Sequence, residues 1–375
     1  MKHTTAGHAM MGSAIILTNG SLAHVDAKTA HGLIRGTQRF EIIGVIDAVN
    51  AGKDAGEVLD GLQRNIPIHA TTDAFIAATG VTPDYCIIGV AISGGRLDEV
   101  WQALLMDAIG HGISVVNGMH MLLGDIPAFR QAADTHHVEI VDIRRPKPFD
   151  QLHYWSGRIF QMKIPRLAVL GTDCAIGKRT TCRMVMEACR RDGINAEMIY
   201  TGQTGWLQGS PYGFIFDATL NDFVSGELES AIVRCEMEAS PDLILIEGQS
   251  GLSNPMGPCG SEILLSANVK GVIHQHAPFR KYFDGTERFG CRLPSVEDEI
   301  RLIDMYGSTV LAVSLNGAGG SAEDLATYAR HLQDRISLPV IMPLVEGMDR
   351  VLTVIRQFMK DHDHDPATTA LTTGR

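Results

Sequence analysis

The sequence predicts an α/β protein of two successive domains, each built on a mainly parallel sheet. Three observations carry that expectation. Short apolar runs alternate with amphipathic stretches along most of the 375 residues, the rhythm of β-α-β units with right-handed crossovers. A segment marked by Pro146, Pro148 and Pro165 interrupts the alternation and has no period of its own. The second stretch of alternation opens with an apolar run that leads straight into a glycine-bounded loop, GTDCAIGK, and an amphipathic helix. The length fits roughly two to three domains of about 150 residues.

Taken in order, residues 1–12 are expected to be a flexible N-terminus. The first α/β domain then spans 13–145, with buried strands at AIILT (14–18), EIIGVID (41–47), YCIIGVA (85–91), SVVNG (114–118) and VEIVDI (138–143). LDEVWQALLMDAIGHG (97–112) is the clearest amphipathic helix between them. Residues 146–165 read as a linker. The second domain, 166–358, restarts the rhythm with RLAVL (166–170), AEMIYT (196–201), DLILIEG (242–248), VKGVIHQH (269–276), TVLAVSLN (309–316) and LPVIMP (338–343). Residues 359–375 are polar and expected to be a disordered tail, in which His362 and His364 are solvated rather than metal-bound.

Composition narrows the function. The apolar share is 45% and the net charge −11, which argues against nonspecific binding to nucleic acid or an anionic membrane. No apolar run reaches the roughly 20 residues a membrane span needs, and no export signal is read at the N-terminus. Seven cysteines lack metal-ligand spacing, and no metal is expected. Cys182 and Cys189 share a helical stripe with Val185 and Met186, as buried thiols do. These features point to a cytoplasmic protein acting on a small molecule, with a homo-oligomer left open.

The loop that follows RLAVL carries the chemistry. Strand, glycine loop and helix in that order surround a phosphate with backbone N–H groups and a helix N-terminus. The phosphate-binding residues would be Gly171, Thr172, Asp173, Cys174, Ala175, Ile176, Gly177, Lys178, Arg179, Thr180 and Thr181. Arg179 stands where ATP-using loops carry the Mg²⁺ hydroxyl, although Thr180 and Thr181 follow within the same turn. DLILIEG delivers Glu247 and Gly248 to a strand's carboxyl end, where α/β sheets place their ligands. Glu247 is a candidate metal partner or base. CoA, with its pyrophosphate, and ATP with Mg²⁺ both remain candidates at this point.

The spacing of the loop is similar to that of dethiobiotin synthetase. GTDCAIGK, TGQTG (201–205) and IEGQSGLSNP (246–255), with KTAHGLIR, GVAISGGRLDEVW and VNGMHMLLGDIP upstream, together resemble one specific family. Its members join a Rossmann-like N-terminal domain to a P-loop NTPase-like C-terminal domain and include D-glutamate N-acetyltransferases. The resemblance implies acetyl transfer from acetyl-CoA to the amine of an amino acid, D-glutamate or a related acidic one. It implies a coenzyme site on the loop and substrate contacts from Thr201, Gly202, Gln203, Thr204, Gly205, Gly248 and Gln249. The stretch NPMGPCGSEILLSANVKGVIHQHAPFRKYFDG departs from the acetyltransferase members, so the acceptor need not be D-glutamate.

Outside the motifs, His274 and His276 share one strand face, and His276 and Arg280 are placed on the substrate side. SGGR (93–96) reads as a turn packing a helix, and Asn117, Gly118 and His120 as candidates for a cleft between the domains. An acetyltransferase needs a proton acceptor and an oxyanion donor. Glu247 or Asp173 is the expected base, and amides near Gly202–Gly205 or Gly248 the expected donors. The alternatives are an ATP-dependent kinase or ligase, and a nucleotide-binding regulator without turnover.

Overall fold

The computed structural model describes residues 10–92 and 94–363. The chain divides into two compact units, Met1–Lys147 with Gly202–Pro211, and Pro148–Thr201 with Tyr212–Arg375. Among the described residues, no helix is long and apolar enough to cross a membrane.

Among the described residues, the first unit holds six parallel strands: β1 (Gly12–Leu17), β2 (Phe40–Ile46), β3 (Ile68–His69), β4 (Tyr85–Ile88), β5 (Ser114–Asn117) and β6 (Ile140–Asp142). Their order is β3-β2-β1-β4-β5-β6, that of dinucleotide-binding folds. Ile15, Leu17, Cys86 and Val115 bury one sheet face under the helix Glu99–Gly110, while Ala14, Ile16, Val45 and Ile87 bury the other. Both faces are covered, which explains why these strands read as continuous apolar runs rather than alternating ones. β3 is two residues long, too short to show a period.

Among the described residues, the second unit holds seven parallel strands: β7 (Arg166–Gly171), β8 (Ala196–Tyr200), β9 (Tyr212–Gly213), β10 (Leu243–Glu247), β11 (Gly271–His276), β12 (Thr309–Leu315) and β13 (Val340–Ile341). Their order is β13-β12-β11-β7-β10-β8-β9. β7 is central, and chain connections leave it toward opposite sides, so its carboxyl end is a topological switch point. Leu167 and Val169 face the helix Lys178–Arg191 through Cys182, Val185 and Cys189, the two cysteines being buried as free thiols. Ala168 and Leu170 face the other layer, where the helix Asn221–Ala239 packs.

Three stretches depart from the sequence reading. The proline-marked segment is not a free tether, because it lies on Asn221–Ala239. There Glu229 accepts hydrogen bonds from the Ser156 amide (2.7 Å) and the Ile159 amide (3.0 Å), and Ile159 is fully buried. Residues 202–211, inside the second stretch of alternation, fold with the first unit: Gln208 donates to the Gly32 carbonyl at 2.6 Å and Thr37 to that of Leu207 at 2.7 Å. The last helix, Asp349–Asp363, takes in the first residues of the expected tail, and His362 lies against the Lys163 carbonyl at 2.9 Å. His364, the remaining tail and the expected flexible residues 1–9 lie outside the described residues, as does Ser93 of SGGR.

Candidate functional site

The site grows from the carboxyl end of β7. The chain turns through Thr172–Ile176, with Ala175 at φ 53° and Gly177 at φ 101°, and enters Lys178–Arg191 with Gly177 as N-cap and no side-chain cap. Gly177 has no side chain to cap that helix, and a helix N-terminus of this kind is where such loops hold an anion. Gly171 permits the close approach of β11, since a Cβ there would lie 2.7 Å from the Gln275 carbonyl oxygen.

Asp173 pins the loop. Its fully buried carboxylate accepts from the Cys174 amide (2.7 Å) and Asn254 Nδ2 (3.0 Å) on Oδ1. On Oδ2 it accepts from Arg280 (2.8 Å) and the Asp284 amide (2.8 Å). With four donors in place, Asp173 has no lone pair aimed at a substrate. The expected base is instead the brace of the phosphate loop. Arg280, expected at a substrate carboxylate, spends one guanidinium nitrogen on Asp173 and on the Cys174 carbonyl (2.8 Å).

Lys178 is buried, and Nζ donates to the carbonyls of Asp173 (2.5 Å) and Ser250 (2.7 Å). Burial lowers its pKa against the opposing pull of Cys174, Asp173, Cys259 and Glu247. The amine thus sits under the loop between two carbonyls.

Arg179 reaches β10, where NH1 meets Glu247 Oε2 at 2.6 Å. The same carboxylate oxygen takes the Thr201 amide at 3.3 Å, and Thr201 Oγ1 donates to the Glu247 carbonyl at 2.9 Å and accepts from Gln249 Nε2 at 3.0 Å. Thr181 turns away from the loop toward the sheet, donating to Gln275 at 2.6 Å beside Ser314. Thr180 stays half-buried on the first turn. A guanidinium, not a hydroxyl, is therefore paired with the strand-end acid.

Behind the loop, His276 Nδ1 lies 3.2 Å from Thr172 Oγ1 and Nε2 lies 3.2 Å from the Tyr328 hydroxyl. Burial pushes its pKa down to about 4. It is a neutral prop of Thr172 rather than a substrate contact. His274, on the same face, is fully buried with neither ring nitrogen hydrogen-bonded, and burial pushes it down to about 3.

The structure gathers Gly171–Thr181, Thr201, Glu247, Gly248 and Gln249 around β7. Gly202, Gln203, Thr204 and Gly205 belong to the first unit. They head the helix Gln203–Leu207 of the first unit, where Gln203 accepts from Arg144 at 2.9 Å. The Gly248 amide, expected as an oxyanion donor, is spent on the Val169 carbonyl at 3.0 Å. In the first unit Asn117 is an internal brace, donating to the Met121 carbonyl and to Asp142 at 2.7 Å each. The helix after SGGR is capped by Asp98, which leaves no anion seat. Nothing in the sequence singles out Asn254, Asp284, Asn316 or Tyr328. Asn254 and Asp284 fall within the stretch 254–285, but their spacing does not point to Asp173. Among the described residues, Asp73, Asp107 and His111 on the first unit could approach one metal ion, but two of the three are exposed.

Residues 153–352 match the family described as a domain of unknown function (DUF1611_C), P-loop domain. Residues 48–146 match its companion (DUF1611_N), Rossmann-like domain. The chain is 29% identical over 274 residues to a D-glutamate N-acetyltransferase from a Pseudoalteromonas species, spanning 71% of this chain and 79% of that one. It is 26% identical over 278 residues to a D-glutamate N-acetyltransferase from Tritonibacter scottomollicae, spanning 72% and 80%. A crystal structure of a DUF1611 family protein from Anabaena variabilis, 25% identical, superposes with a TM-score of 0.82 over 92% of this chain and 99% of that one.

Proposed function

The chain belongs to the DUF1611 family, and from that premise we propose that it is an N-acetyltransferase. It moves an acetyl group from acetyl-CoA to the amine of an amino acid, D-glutamate or a related acidic amino acid. The names of two relatives support the reaction class. The Arg179–Glu247 pair, at 2.6 Å, is the observation that carries the choice of coenzyme. In phosphoryl-transfer loops the hydroxyl after the lysine and a strand-end acid hold Mg²⁺. Here both positions are taken up by an ion pair, and Thr181 is turned into the sheet. What remains is a grip for phosphates without a metal: a helix N-terminus with no side-chain cap, Lys178 and a guanidinium fixed by Glu247. The pyrophosphate of CoA matches that grip.

In the reaction, the free amine attacks the thioester carbonyl carbon and the C–N bond forms. The C–S bond then breaks, and CoA leaves as thiolate and takes up the proton the amine gives. The pantetheine arm carries the thioester away from the pyrophosphate. Glu247 therefore fixes Arg179 for the phosphates in this reading, and the proton transfer belongs to neither Glu247 nor Asp173.

The test is thiol release from acetyl-CoA by the purified protein offered D- and L-amino acids, with and without EDTA. Parallel wells carry ATP and Mg²⁺. The expected outcome is release that depends on an acidic amino acid and ignores EDTA, with kcat/KM cut about 10–100-fold by Lys178→Ala, the scale of one charge-assisted hydrogen bond. Silence with every amine, together with Mg²⁺-dependent ADP formation, would overturn the proposal in favour of a kinase or ligase.

A further inference from the structure

The connection that leaves β11 is a hairpin strapped to the phosphate loop. Arg280 donates to Asp173 Oδ2 at 2.8 Å, and the Asp284 amide donates to the same oxygen at 2.8 Å. Between those anchors the chain pairs with a returning strand. The Phe283 amide donates to the Cys291 carbonyl (3.0 Å), the Leu293 amide donates to the Lys281 carbonyl (3.1 Å), and Tyr282 stands opposite Arg292. Thr286 is buried and closes the tip, its hydroxyl donating to the Phe283 carbonyl at 2.8 Å. Phe283 is buried as well. The aspartate that pins the phosphate loop therefore pins this hairpin too.

The charge of the hairpin is opposite to that of the chain. Residues 280–292 carry Arg280, Lys281, Arg288 and Arg292 against Asp284 and Glu287, a local net of +2 in a chain of net −11. Arg280 is spent on the loop. Lys281, Arg288 and Arg292 are exposed, and none of them forms an ion pair among the described residues. Lys281 Nζ lies 5.2 Å from the centroid of the Tyr282 ring, within cation–π range. Arg292 is the cross-strand partner of that tyrosine and shares its face of the ladder. Two cations thus flank one ring, and Lys281 is a single residue, about 3.8 Å of chain, from the Arg280 anchor. Like charges held together repel, and an anion between them relieves the repulsion.

The anion suited to this place belongs to a molecule already lying on the loop. ATP and ADP carry their phosphates in one chain, which such a loop holds. CoA carries a further phosphate monoester on its ribose 3′-oxygen, one sugar away from the pyrophosphate. A phosphate monoester brings about −1.5 to −2 charges at neutral pH and accepts strong hydrogen bonds from lysine and arginine. We propose that Lys281 and Arg292, on either side of Tyr282, bind the 3′-phosphate of CoA while its pyrophosphate lies on Gly171–Thr181. The hairpin is then the element that prefers CoA to nucleotides without that group. The inference rests on the choice of CoA made under the proposed function, but it is read from binding and not from acetyl transfer.

Calorimetric titration of the full chain with CoA and with dephospho-CoA, which lacks only the 3′-phosphate, tests it in the wild type and in Lys281→Gln/Arg292→Gln. The wild type should bind CoA about five- to tenfold tighter than dephospho-CoA, the scale of two exposed charge pairs. The variant should bring the two within about twofold, with dephospho-CoA affinity and thermal unfolding as in the wild type. Raising the salt concentration should shrink the wild-type gap. A wild type that binds the two alike, or a variant that keeps the full gap, would overturn the proposal. A gap that the variant closes in a protein that releases no thiol with any amine keeps the hairpin site and removes the acetyltransferase reading. Thiol release with no gap does the reverse.

Discussion

Both sheets place a buried aspartate at the turn beside their central strand, and the two turns have different fates. The turn after β1 is held by Asp47, at the end of β2, which accepts from Thr18 (2.7 Å), the Leu22 amide (3.0 Å) and Asn50, whose amide and Nδ2 lie at 3.0 and 3.1 Å. After β7, Asp173 accepts four hydrogen bonds in the same manner. The first turn then wanders through residues 18–27 before a short helix, Lys28–Ile34, whose N-cap is Ala27. The second enters the helix Lys178–Arg191 directly, with a left-handed glycine before it and a lysine as its first residue. Strand order alone does not make a phosphate site. The first unit has the order of dinucleotide-binding folds, but its strand-end acid, which such folds give to a ribose, is consumed in holding the turn. A helix start aimed at the strand end is what makes the second turn different.

The comparison breaks most visibly at the two aspartates. Asp173→Ala orphans buried donors and leaves the partly buried Arg280 without its carboxylate, so it should cost about 3–5 kcal/mol and abolish CoA binding. Asp47→Ala should cost about 2–4 kcal/mol from orphaned donors while CoA binding persists in the folded fraction. Denaturant unfolding and calorimetry on both variants decide this. Equal losses of binding would show that the two turns are not functionally distinct.

Acid should sharpen the contrast. Burial raises the Asp47 carboxyl, but hydrogen bonds from Thr18, Leu22 and Asn50 outweigh it and hold the group below its ordinary value. The first turn therefore loses stability only as pH falls below the usual carboxylate range. His274 and His276, pushed down to about 3 and about 4, are lowered relative to the unfolded chain, which binds more protons once pH drops below about 6.5. Their contribution is complete above that pH and is lost as pH falls through it toward 4, at about 2–3 kcal/mol for each histidine by pH 4.5. Thermal unfolding from pH 7 to 4.5 should show this loss, and His274→Phe should remove about half of it. A slope untouched by that substitution would mean that His274 does not titrate in this way.

The smallest effect separates backbone from ligand. Gly20 and Gly177 stand at φ 82° and 101° in the two turns. Alanine at either should cost about 1–2 kcal/mol of left-handed strain. Only Gly177→Ala should also weaken CoA binding, measurable by titration. Equal binding in both variants would detach the glycine from the phosphate grip.

Much of this was legible in the residues themselves. Apolar runs located eleven strands because both sheets are covered on both faces; even the two-residue β13 lies in the apolar run LPVIMP, whereas β3 and β9, also two residues each, lie in no such run. GTDCAIGK announced the phosphate loop through local backbone need, a glycine where φ is positive and a lysine one residue on. The partners of that loop were not legible. Arg179 meets Glu247 across 68 positions, and Asp173 meets Arg280 across 107.

The sequence by itself determined the class of each layer, the glycine turn, the helix that follows it and the placement of Glu247 at a strand end, all properties of short-range sterics and burial. Only the tertiary structure decided that Arg179 pairs with Glu247, that Asp173 braces the loop with four hydrogen bonds, and that residues 202–211 fold with the first unit. Those outcomes follow from the strand order β11-β7-β10-β8 and from long-range packing. Hydrophobic periodicity carries no record of which strand lies beside which.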